Sequence, residues 1–262
     1  MTATILATSH VHSNWSYDGS WSLKALAEKF SSRGSRVLLM TEHDRGFSAA
    51  RFAEYRDACA GASSDEILLV PGIEYSDDAN RVHILVWGPV AFLGEGLSTG
   101  QTLEGVRRAG GVAVLAHPSR REAWKSFDRN WSNLLLGIEV WNRKYDGWAP
   151  SHTAPPLIES AGAVPFVGLD FHTERQLFQL NMLLEIEQPL TERSVLNCLR
   201  AQRCAARAFG FPLHGMPVRA AVPVLNLAER GRRGAAAFVK RSKRSGLGKR
   251  LLSSSNGQSD TL

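Results

Sequence analysis

Seven short apolar runs, separated by stretches with helical spacing, constrain the fold of this chain more than any other feature. Most of the runs are rich in Val, Ile and Leu without strict alternation, which is typical of strands buried on both faces of a parallel sheet or barrel. The alternation of such runs with helical stretches predicts an α/β fold with parallel strands. The runs are Ile5–Ser9, Val37–Thr41, Ile67–Val70, Val82–Trp87, Val112–Ala116, Gly137–Trp141 and Pro165–Leu169.

Five further segments carry helix signals. Leu23–Phe30 has apolar residues at helical spacing, with Ser20 or Ser22 as its N-cap. Gly110-Gly111 predicts the end of a later helix, since glycine readily adopts the left-handed conformation that closes helices. The predicted helices are Leu23–Phe30, Ser48–Cys59, Thr102–Ala109, one that opens at Pro155-Pro156, and Glu192–Arg203.

The net charge of +6 is unevenly distributed. Ten of the 31 Lys and Arg residues, but only two of the 25 acidic residues, follow Met216. The sequence therefore predicts two regions: an acidic body over residues 1–215 and a basic extension over residues 216–262 that is partly disordered. Within the extension only 235–239 is predicted as a short helix. The charge of the whole chain is thus no argument that the body binds nucleic acid.

Composition favours a cytoplasmic globular protein. The chain has no apolar run of the ~18–20 residues that a membrane span needs, and its first residues lack a secretory signal pattern. The three cysteines, Cys59, Cys198 and Cys204, form no CxxC pair. An odd and sparse set of this kind does not predict a disulfide framework, so a reducing compartment is expected.

Histidines and carboxylates stand at or just beyond the ends of the predicted strands. In a parallel α/β barrel, functional groups gather at the carboxyl ends of the strands, so these side chains are expected to converge. His83 is the exception, because it stands at the start of its run. The set comprises His10, His12, Glu42, His43, Glu74, His83, His117, Glu139, Asn142, Asp170 and His172.

Two spacings indicate metal binding. His10 and His12, like Asp170 and His172, are separated by one residue, so in extended backbone each pair points to one side. Neutral imidazole is a frequent metal ligand, and a carboxylate such as Glu74 can bridge two cations. A single buried histidine is more often a hydrogen-bonded core residue. The prediction of a metal site therefore rests on the joint occurrence of these residues.

In their order along the chain, these motifs resemble those of the polymerase-and-histidinol-phosphatase (PHP) family of phosphoesterases. The resemblance extends from about His10 to Arg203. Glu42 stands where the family usually has Asp, and Leu169 where it usually has Ser. The matching segments are His10-Val-His-Ser-Asn-Trp-Ser-Tyr-Asp18-Gly, Thr41-Glu-His43-Asp, Pro71-Gly-Ile-Glu74, Val82-His83-Ile-Leu, Ala116-His117-Pro, Ile138-Glu139-Val-Trp-Asn142 and Gly168-Leu-Asp170-Phe-His172.

The resemblance implies a distorted TIM-like (β/α)7 barrel with two or three divalent metal ions at the C-terminal ends of its strands. Asp18, which the resemblance implies as a ligand of the third metal, follows the HxH motif at a longer spacing than in the commonest form of that motif. The implied ligands are His10, His12, Glu74 and Asp170 for one metal, Glu74, His83 and His117 for a second, and Asp18, His43 and His172 for a third.

The expected activity is hydrolysis of a phosphomonoester, or of a small phosphodiester, by a metal-activated hydroxide. Glu74, Asp170 and His172 are the predicted catalytic residues, and His172 or Asp170 is a candidate to protonate the leaving group. Imidazole and carboxylate ligands together suit Mn, Zn or Fe. Arginine matches the oxygens of phosphate, so four arginines near the motifs are candidates for substrate binding. Arg120 and Arg175 are preferred, and Arg143 and Arg45 are the others.

Three alternatives stay open. The chain can be a non-catalytic metal-binding PHP module, although the ligand set is intact. It can be a nucleic-acid-associated protein that uses the basic extension, although a solvated extension is the simpler interpretation. It can also hydrolyse C–N bonds, since barrel architecture alone does not exclude this chemistry. The sequence predicts neither the substrate nor the oligomeric state.

Overall fold

The computed structural model describes residues 1–244, and their side chains as far as residue 239. The described part contains strands β1 to β12 and helices α1 to α6, together with three short 3-10 helices. The strands are Thr2–Val11, Val37–Met40, Glu42–His43, Leu68–Val70, Gly72–Ser76, His83–Trp87, Val112–Leu115, Gly137–Asn142, Val164–Gly168, Leu180–Glu187, Cys204–Ala208 and Phe211–Pro212. The helices are Leu23–Ser31, Ala49–Ala62, Thr99–Ala109, Ala154–Ala161, Glu192–Arg200 and Met216–Arg244.

The strands form two six-stranded sheets in a mixed α/β fold. The first has the order β12-β11-β10-β1-β2-β4 and the second the order β3-β5-β6-β7-β8-β9. All seven predicted strand regions are confirmed as strands. Neither sheet closes on itself, so the (β/α)7 barrel is not confirmed. The alternation of strand and helix is sufficient to predict the α/β class but does not determine closure.

The prediction that the strands are parallel is wrong for one of the seven, because β6 runs antiparallel to both β5 and β7. Strand β10, which the sequence analysis does not predict, runs antiparallel to β1. Residues 77–82 connect β5 to β6, and a link this short forms a hairpin, since a parallel crossover needs a dozen or more residues. The apolar run of β6 reveals its burial but not its direction.

Backbone connections bring the two sheets together at one end. Only Thr41 separates β2 in the first sheet from β3 in the second, and only Pro71 separates β4 from β5. On the other side, Leu169 N–H donates to Ser9 O at 3.1 Å, and Phe171 N–H donates to His10 O at 3.0 Å. The segment after β9 therefore lies beside β1.

Helix ends follow the predicted signals. The Ser22 side chain accepts a hydrogen bond from the Ala25 N–H and caps α1. Ser98 and Gln101 form a capping box at the start of α3, which ends at Gly110 in the left-handed conformation with φ of 71°. A capping residue satisfies N–H groups that lack partners within the helix. Helix α3 packs against β6 and β7, and α1 packs against α2.

Helix α6, Met216–Arg244, extends well beyond the short helix that the sequence predicts in this region. It is fixed to the body by Glu229, which is 5% exposed. The Glu229 carboxylate accepts hydrogen bonds from Arg232, Arg233 and the backbone N–H of Trp148. The Ser-rich end, for which disorder is predicted, lies outside the described residues. In the described part, no helix is both long and apolar enough to cross a membrane.

Candidate metal centre

The nine predicted metal ligands converge at one end of the sheets. Eight of them are buried, and the Asp18 side chain is 35% exposed. Nitrogen and oxygen atoms of the eight buried residues form overlapping groups of three, and the atoms of each group lie within 4.8 Å of one another. These groups are His12, His43 and His172; His10, His117 and Asp170; His10, His12 and Glu74; and Glu74, His83 and His117.

Glu74 lies at the middle of the cluster. Its Oε1 atom is 2.6 Å from His83 Nδ1 and 2.8 Å from His117 Nε2. Its Oε2 atom is 3.1 Å from His43 Nδ1 and 3.4 Å from His12 Nε2. One buried carboxylate thus presents its two oxygens to different histidines, which is the arrangement of a ligand shared by neighbouring cations.

Two aspartates close the cluster on its other sides. The Asp170 Oδ1 atom is 3.6 Å from His12 Nε2 and 3.8 Å from His10 Nε2. Asp18 Oδ1 is 3.3 Å from His43 Nε2, and Asp18 Oδ2 is 3.1 Å from His172 Nε2. The structure therefore places Asp18 beside His43 and His172, despite its long spacing from the HxH motif.

Strand β6 accounts for the exceptional position of His83. Because β6 is antiparallel to its neighbours, its first residue lies beside their carboxyl ends. His83 pairs with Ser76 at the end of β5, and its carbonyl accepts a hydrogen bond from Ala116 N–H at 3.0 Å. The first residue of an antiparallel strand thus occupies the place that a last residue has in a parallel one.

Four buried atoms of the cluster lack a hydrogen-bond partner among the described residues: His10 Nε2, His12 Nε2, Glu74 Oε2 and His117 Nδ1. An unpaired buried polar atom costs about 1–3 kcal/mol, so native proteins pair such atoms with protein, water or an ion. Three of these atoms belong to one implied metal site. The donor set therefore fits divalent cations that accept nitrogen and oxygen ligands.

Three of the candidate ligands also have unusual backbone conformations. His10, His117 and Asp170 have φ values of 59°, 25° and 49°. Non-glycine residues rarely adopt positive φ, and each such residue costs on the order of 1–3 kcal/mol. Residues of this kind concentrate at functional sites, where the surrounding structure imposes them.

Glu139, fully buried in β8, positions His10. Its Oε1 atom is 2.9 Å from His10 Nδ1, and its Oε2 atom accepts hydrogen bonds from the His117 N–H and Asn142 Nδ2. A proton on Nδ1 shared with this carboxylate leaves the lone pair of His10 on Nε2, which faces the cluster. Glu139 thus supports two candidate ligands, one through its ring and one through its backbone.

Glu42 has a comparable role through a serine. Its carboxylate accepts from the Ser13 N–H at 3.0 Å, from Ser13 Oγ at 2.6 Å and from Ser16 Oγ at 2.5 Å. The single Ser16 hydroxyl hydrogen is thereby committed to Glu42, so Ser16 Oγ accepts from His12 Nδ1, 3.3 Å away. This network leaves the His12 lone pair on Nε2, within the cluster. Glu42, which stands where the family usually has Asp, therefore accepts hydrogen bonds from both Ser13 and Ser16.

Burial and close charges shift several pKa values. Burial opposes the charge of His43, but the close carboxylates of Asp18 and Glu74 raise its pKa to about 10. Burial, with the neighbouring His43 and His172, lowers the pKa of His12 well below its ordinary value. Burial also opposes ionisation of Glu74, but the charges of His83 and His10 hold its pKa well below the ordinary value. Since cations compete with protons for these nitrogens, metal binding is expected to release protons.

A cavity of about 310 Å³ opens onto the cluster. Arg120 and Arg45 line it, whereas Arg143 and Arg175 are not among the described residues in its wall. Arg143 instead places its guanidinium 5.0 Å from the centre of the Phe178 ring and donates to the Arg175 carbonyl. Of the four candidate arginines, the structure thus brings two to the cavity.

Lys144 is a cavity residue that the sequence analysis does not identify. Its Nζ atom is 3.1 Å from Asp170 Oδ1 and 3.3 Å from His172 Nε2. Burial opposes its charge, but the nearby Asp170 carboxylate raises the pKa of Lys144. The sequence signal that could have identified Lys144 is its position two residues after Asn142, in the segment that follows β8. The side chain brings a cation to the edge of the cluster.

Comparisons with known proteins reveal similarity in structure alone. No protein-family model matches the chain, and no curated protein matches it. A two-domain protein from Bacteroides vulgatus, described as containing a predicted PHP-like metal-dependent phosphoesterase, aligns with a TM-score of 0.60 and 17% identity. The alignment covers 79% of this chain and 65% of that protein. The chain therefore spans slightly less than two thirds of the length of that protein.

Two other solved structures are similar over most of the chain. PsfC from Pseudomonas syringae has a TM-score of 0.57 and 13% identity over 89% of this chain and 99% of its own. The lesion-specific endonuclease PfuEndoQ from Pyrococcus furiosus has a TM-score of 0.57 and 14% identity over 76% of this chain and 56% of its own. The chain thus has the fold of PHP-like metal-dependent phosphoesterases, which confirms at the level of fold the resemblance that its motifs indicate.

Proposed function

We propose that this protein is a metal-dependent phosphoesterase that hydrolyses a phosphomonoester or a small phosphodiester. The observation that carries the proposal is the buried cluster around Glu74, in which atoms of His10, His12 and Glu74 face one another and have no hydrogen-bond partner among the described residues. The shared fold and the ordered motifs support it. We further propose that the seven predicted strand regions form a distorted barrel. The hydrogen bonds from Leu169 and Phe171 to β1 support this arrangement.

The proposed ligand assignment is the one that the motif resemblance implies, and two groups of close atoms support it, those of His10, His12 and Glu74 and of Glu74, His83 and His117. His10, His12, Glu74 and Asp170 form one site, Glu74, His83 and His117 a second, and Asp18, His43 and His172 a third. Two or three Mn, Zn or Fe ions held there would lower the pKa of a water molecule and withdraw charge from a phosphoryl group.

The remaining roles belong to the chain's own side chains. Arg120 and Arg45 lie in the cavity wall and would donate hydrogen bonds to phosphoryl oxygens. Lys144 carries its ammonium beside Asp170 and would neutralise charge on the leaving oxygen. With two metals bound and the third site empty, His172, whose Nε2 faces Asp18, would transfer a proton to that oxygen; with three metals bound it would be a ligand instead. Arg143 and Arg175, which are not among the described residues of the cavity wall, would act by holding neighbouring segments in place through their mutual hydrogen bond.

The direct test compares three classes of substrate. The chain, purified without chelator and supplemented with Mn or Zn, is assayed on p-nitrophenyl phosphate, bis(p-nitrophenyl) phosphate and p-nitroacetanilide. We expect release of p-nitrophenol from a phosphate ester, reduced by more than about 100-fold in Asp170→Asn, since even partners of metal ligands are worth about 10–100-fold. Asp65→Asn, the same change at an exposed position, is the matched control and should behave as wild type.

The rival functions predict other results. Hydrolysis of the anilide alone would contradict phosphoesterase activity and indicate C–N bond chemistry. Metal binding without hydrolysis of any substrate would favour the non-catalytic module. DNA binding that depends on residues 216–262, with no hydrolysis, would favour the nucleic-acid-associated protein. A cytoplasmic location stays a prediction.

A further inference from the structure

Helix α6 has an inner face that is covered by the body of the protein. Val218 is buried, and Leu225 packs against the core. Glu229 lies on the same side and accepts a hydrogen bond from the backbone N–H of Trp148. Because a helix has about 3.6 residues per turn, residues that are seven and four positions apart share one side of it. These three side chains therefore define the inner face of α6.

The outer face of α6 carries an exposed row of apolar residues, which we call the apolar stripe: Val224, Leu227, Gly231, Ala235 and Phe238. Intervals of three or four residues place all five on one side of the helix. Two residues along a helix turn it by about 200°, so Leu227 lies opposite the inner face. The exposed fractions of Val224, Leu227 and Phe238 are 68%, 71% and 74%. Single exposed apolar residues are ordinary on protein surfaces, whereas a continuous row of them marks an interaction surface.

Positive charge accompanies the apolar stripe. Helix α6 contains eight Lys and Arg residues, four before and four after Phe238, and a single acidic residue, Glu229. Glu229 is buried against the body, where it pairs with Arg232 and Arg233. Helix α6 therefore combines an apolar outer face with a surplus of positive charge, and a partner must offer both apolar and negative groups. The four basic residues that follow Phe238 are Lys240, Arg241, Lys243 and Arg244.

We propose that the outer face of α6 binds the surface of an anionic lipid bilayer, with the apolar stripe inserted at the level of the headgroups. A helix with an apolar face and a cluster of basic residues is typical of such binding. Its apolar side chains leave water at the interface, while its cations attract acidic headgroups. The inner face of α6 stays on the body, so binding requires no unfolding of the helix.

Two other occupants fit the outer face less well. A second copy of the chain would bring two basic helices together, and like charges at an interface oppose association. A nucleic-acid strand would satisfy the basic residues through its phosphates but would leave Val224, Leu227 and Phe238 in water. An anionic bilayer is the partner that accommodates both the charge and the apolar stripe.

The test measures co-sedimentation of the full chain with lipid vesicles. Vesicles of phosphatidylcholine with about one third phosphatidylserine are compared with vesicles of phosphatidylcholine alone. Phe238→Ser, alone and combined with Leu227→Ser, removes members of the apolar stripe without changing the charge. Phe211→Ser makes the same change at an exposed phenylalanine of β12 and is the matched control. Thermal unfolding verifies that all variants are folded.

We expect the wild type to bind the anionic vesicles more tightly than the neutral ones, and to lose affinity as salt screens its positive charge. The double variant should bind the anionic vesicles at least about tenfold more weakly than the wild type, because two large apolar side chains no longer leave water on binding. Phe211→Ser should bind as the wild type does.

Several results would overturn the inference. A wild type that sediments with neither kind of vesicle would do so, and so would a double variant that binds as tightly as the wild type, which would indicate attraction by charge alone. A dimer in sedimentation velocity that the double variant loses, without binding to vesicles, would identify a second copy of the chain as the occupant. Binding of an oligothymidylate but not of vesicles would assign the basic residues to nucleic acid. Because these measurements need no catalysis, they are independent of whether p-nitrophenyl phosphate is hydrolysed.

Discussion

Replacement of Glu42 by Gln is predicted to weaken metal binding although Glu42 contacts no metal site directly. In the wild type, the Glu42 carboxylate takes the Ser16 hydroxyl hydrogen, so Ser16 accepts the proton of His12 Nδ1. An amide in place of Oε2 donates instead of accepting. The Ser16 hydrogen is then free to turn toward His12 Nδ1, which stabilises the tautomer with its proton on Nε2. That tautomer cannot ligate through the atom that faces Glu74.

The expected size of the effect follows because Glu42 acts on His12, a candidate ligand, through the Ser16 hydroxyl. Groups that orient ligating histidines contribute about 10–100-fold to metal affinity, or about 1.4–2.8 kcal/mol. The fold should tolerate the change, because the remaining amide oxygen still accepts the 3.0 Å bond from the Ser13 N–H. Burial also raises the pKa of Glu42, so a neutral side chain relieves a cost of desolvation. We expect the stability of the metal-free chain to change by about 1 kcal/mol or less.

The assay is competition for Zn or Mn with a chromogenic chelator, performed on the wild type, Glu42→Gln and a control. Glu104→Gln is the control, because it makes the same chemical change on the exposed face of α3, where Glu104 pairs with Arg107. Thermal unfolding of the metal-free proteins shows whether the fold is intact. A folded Glu42→Gln variant with wild-type metal affinity would refute the tautomer argument.

Three further variants test other parts of the account. Gly168→Ala should lose metal affinity and stability, since a Cβ atom there would overlap the carboxylate of Glu139. Normal calorimetric unfolding together with normal metal titration would contradict this prediction. Lys144→Met should lower kcat/KM by about 10-fold or more and leave metal content intact, because the hydrogen bond of Lys144 with Asp170 is charge-assisted and is worth about 1.5–3 kcal/mol. Unchanged kinetics would exclude a catalytic role for Lys144. Glu229→Gln should destabilise the chain by about 1–2 kcal/mol at pH 6 after allowance for screening by water, because two arginines and the Trp148 N–H outweigh burial and lower the Glu229 pKa to about 2. The depressed pKa places this stabilisation above pH 4.5, and it should disappear as the pH falls toward 2; a difference between the two proteins that is constant over this range, in urea unfolding, would contradict the ion-pair explanation.

The sequence was sufficient to locate seven of the twelve described strands and the candidate ligands, but it did not reveal β3, β5, β10, β11 or β12. Apolar runs mark buried strands because burial requires apolar side chains on both faces. Pairs such as His10 and His12 project to one side because extended backbone alternates its side chains. Once the strands are located, the clustering of the ligands follows from where their ends meet.

Other features depend on contacts between distant segments. The direction of β6 is set by its hairpin with β5. An apolar run has the same pattern in both directions, so the position of His83 beside the carboxyl ends of the neighbouring strands could not be derived from sequence. The relay from Glu42 to His12 joins β3 to a loop 26 residues earlier at Ser16, and no local pattern encodes it. Helix α6 is attached to the body through Glu229 and Arg233, which form hydrogen bonds with residues 145–148, and no local pattern encodes these contacts.

The central claim is that the cluster around Glu74 holds two or three divalent cations. Elemental analysis of the chain purified without chelator, with Glu74→Ala and the exposed control Glu104→Ala in parallel, tests it most directly. The account predicts two or three equivalents of Mn, Zn or Fe in the wild type and control, and a loss of at least one equivalent in Glu74→Ala, because Glu74 is shared between sites. A wild type that stays metal-free after supplementation, or a Glu74→Ala variant with the full complement, would contradict the account.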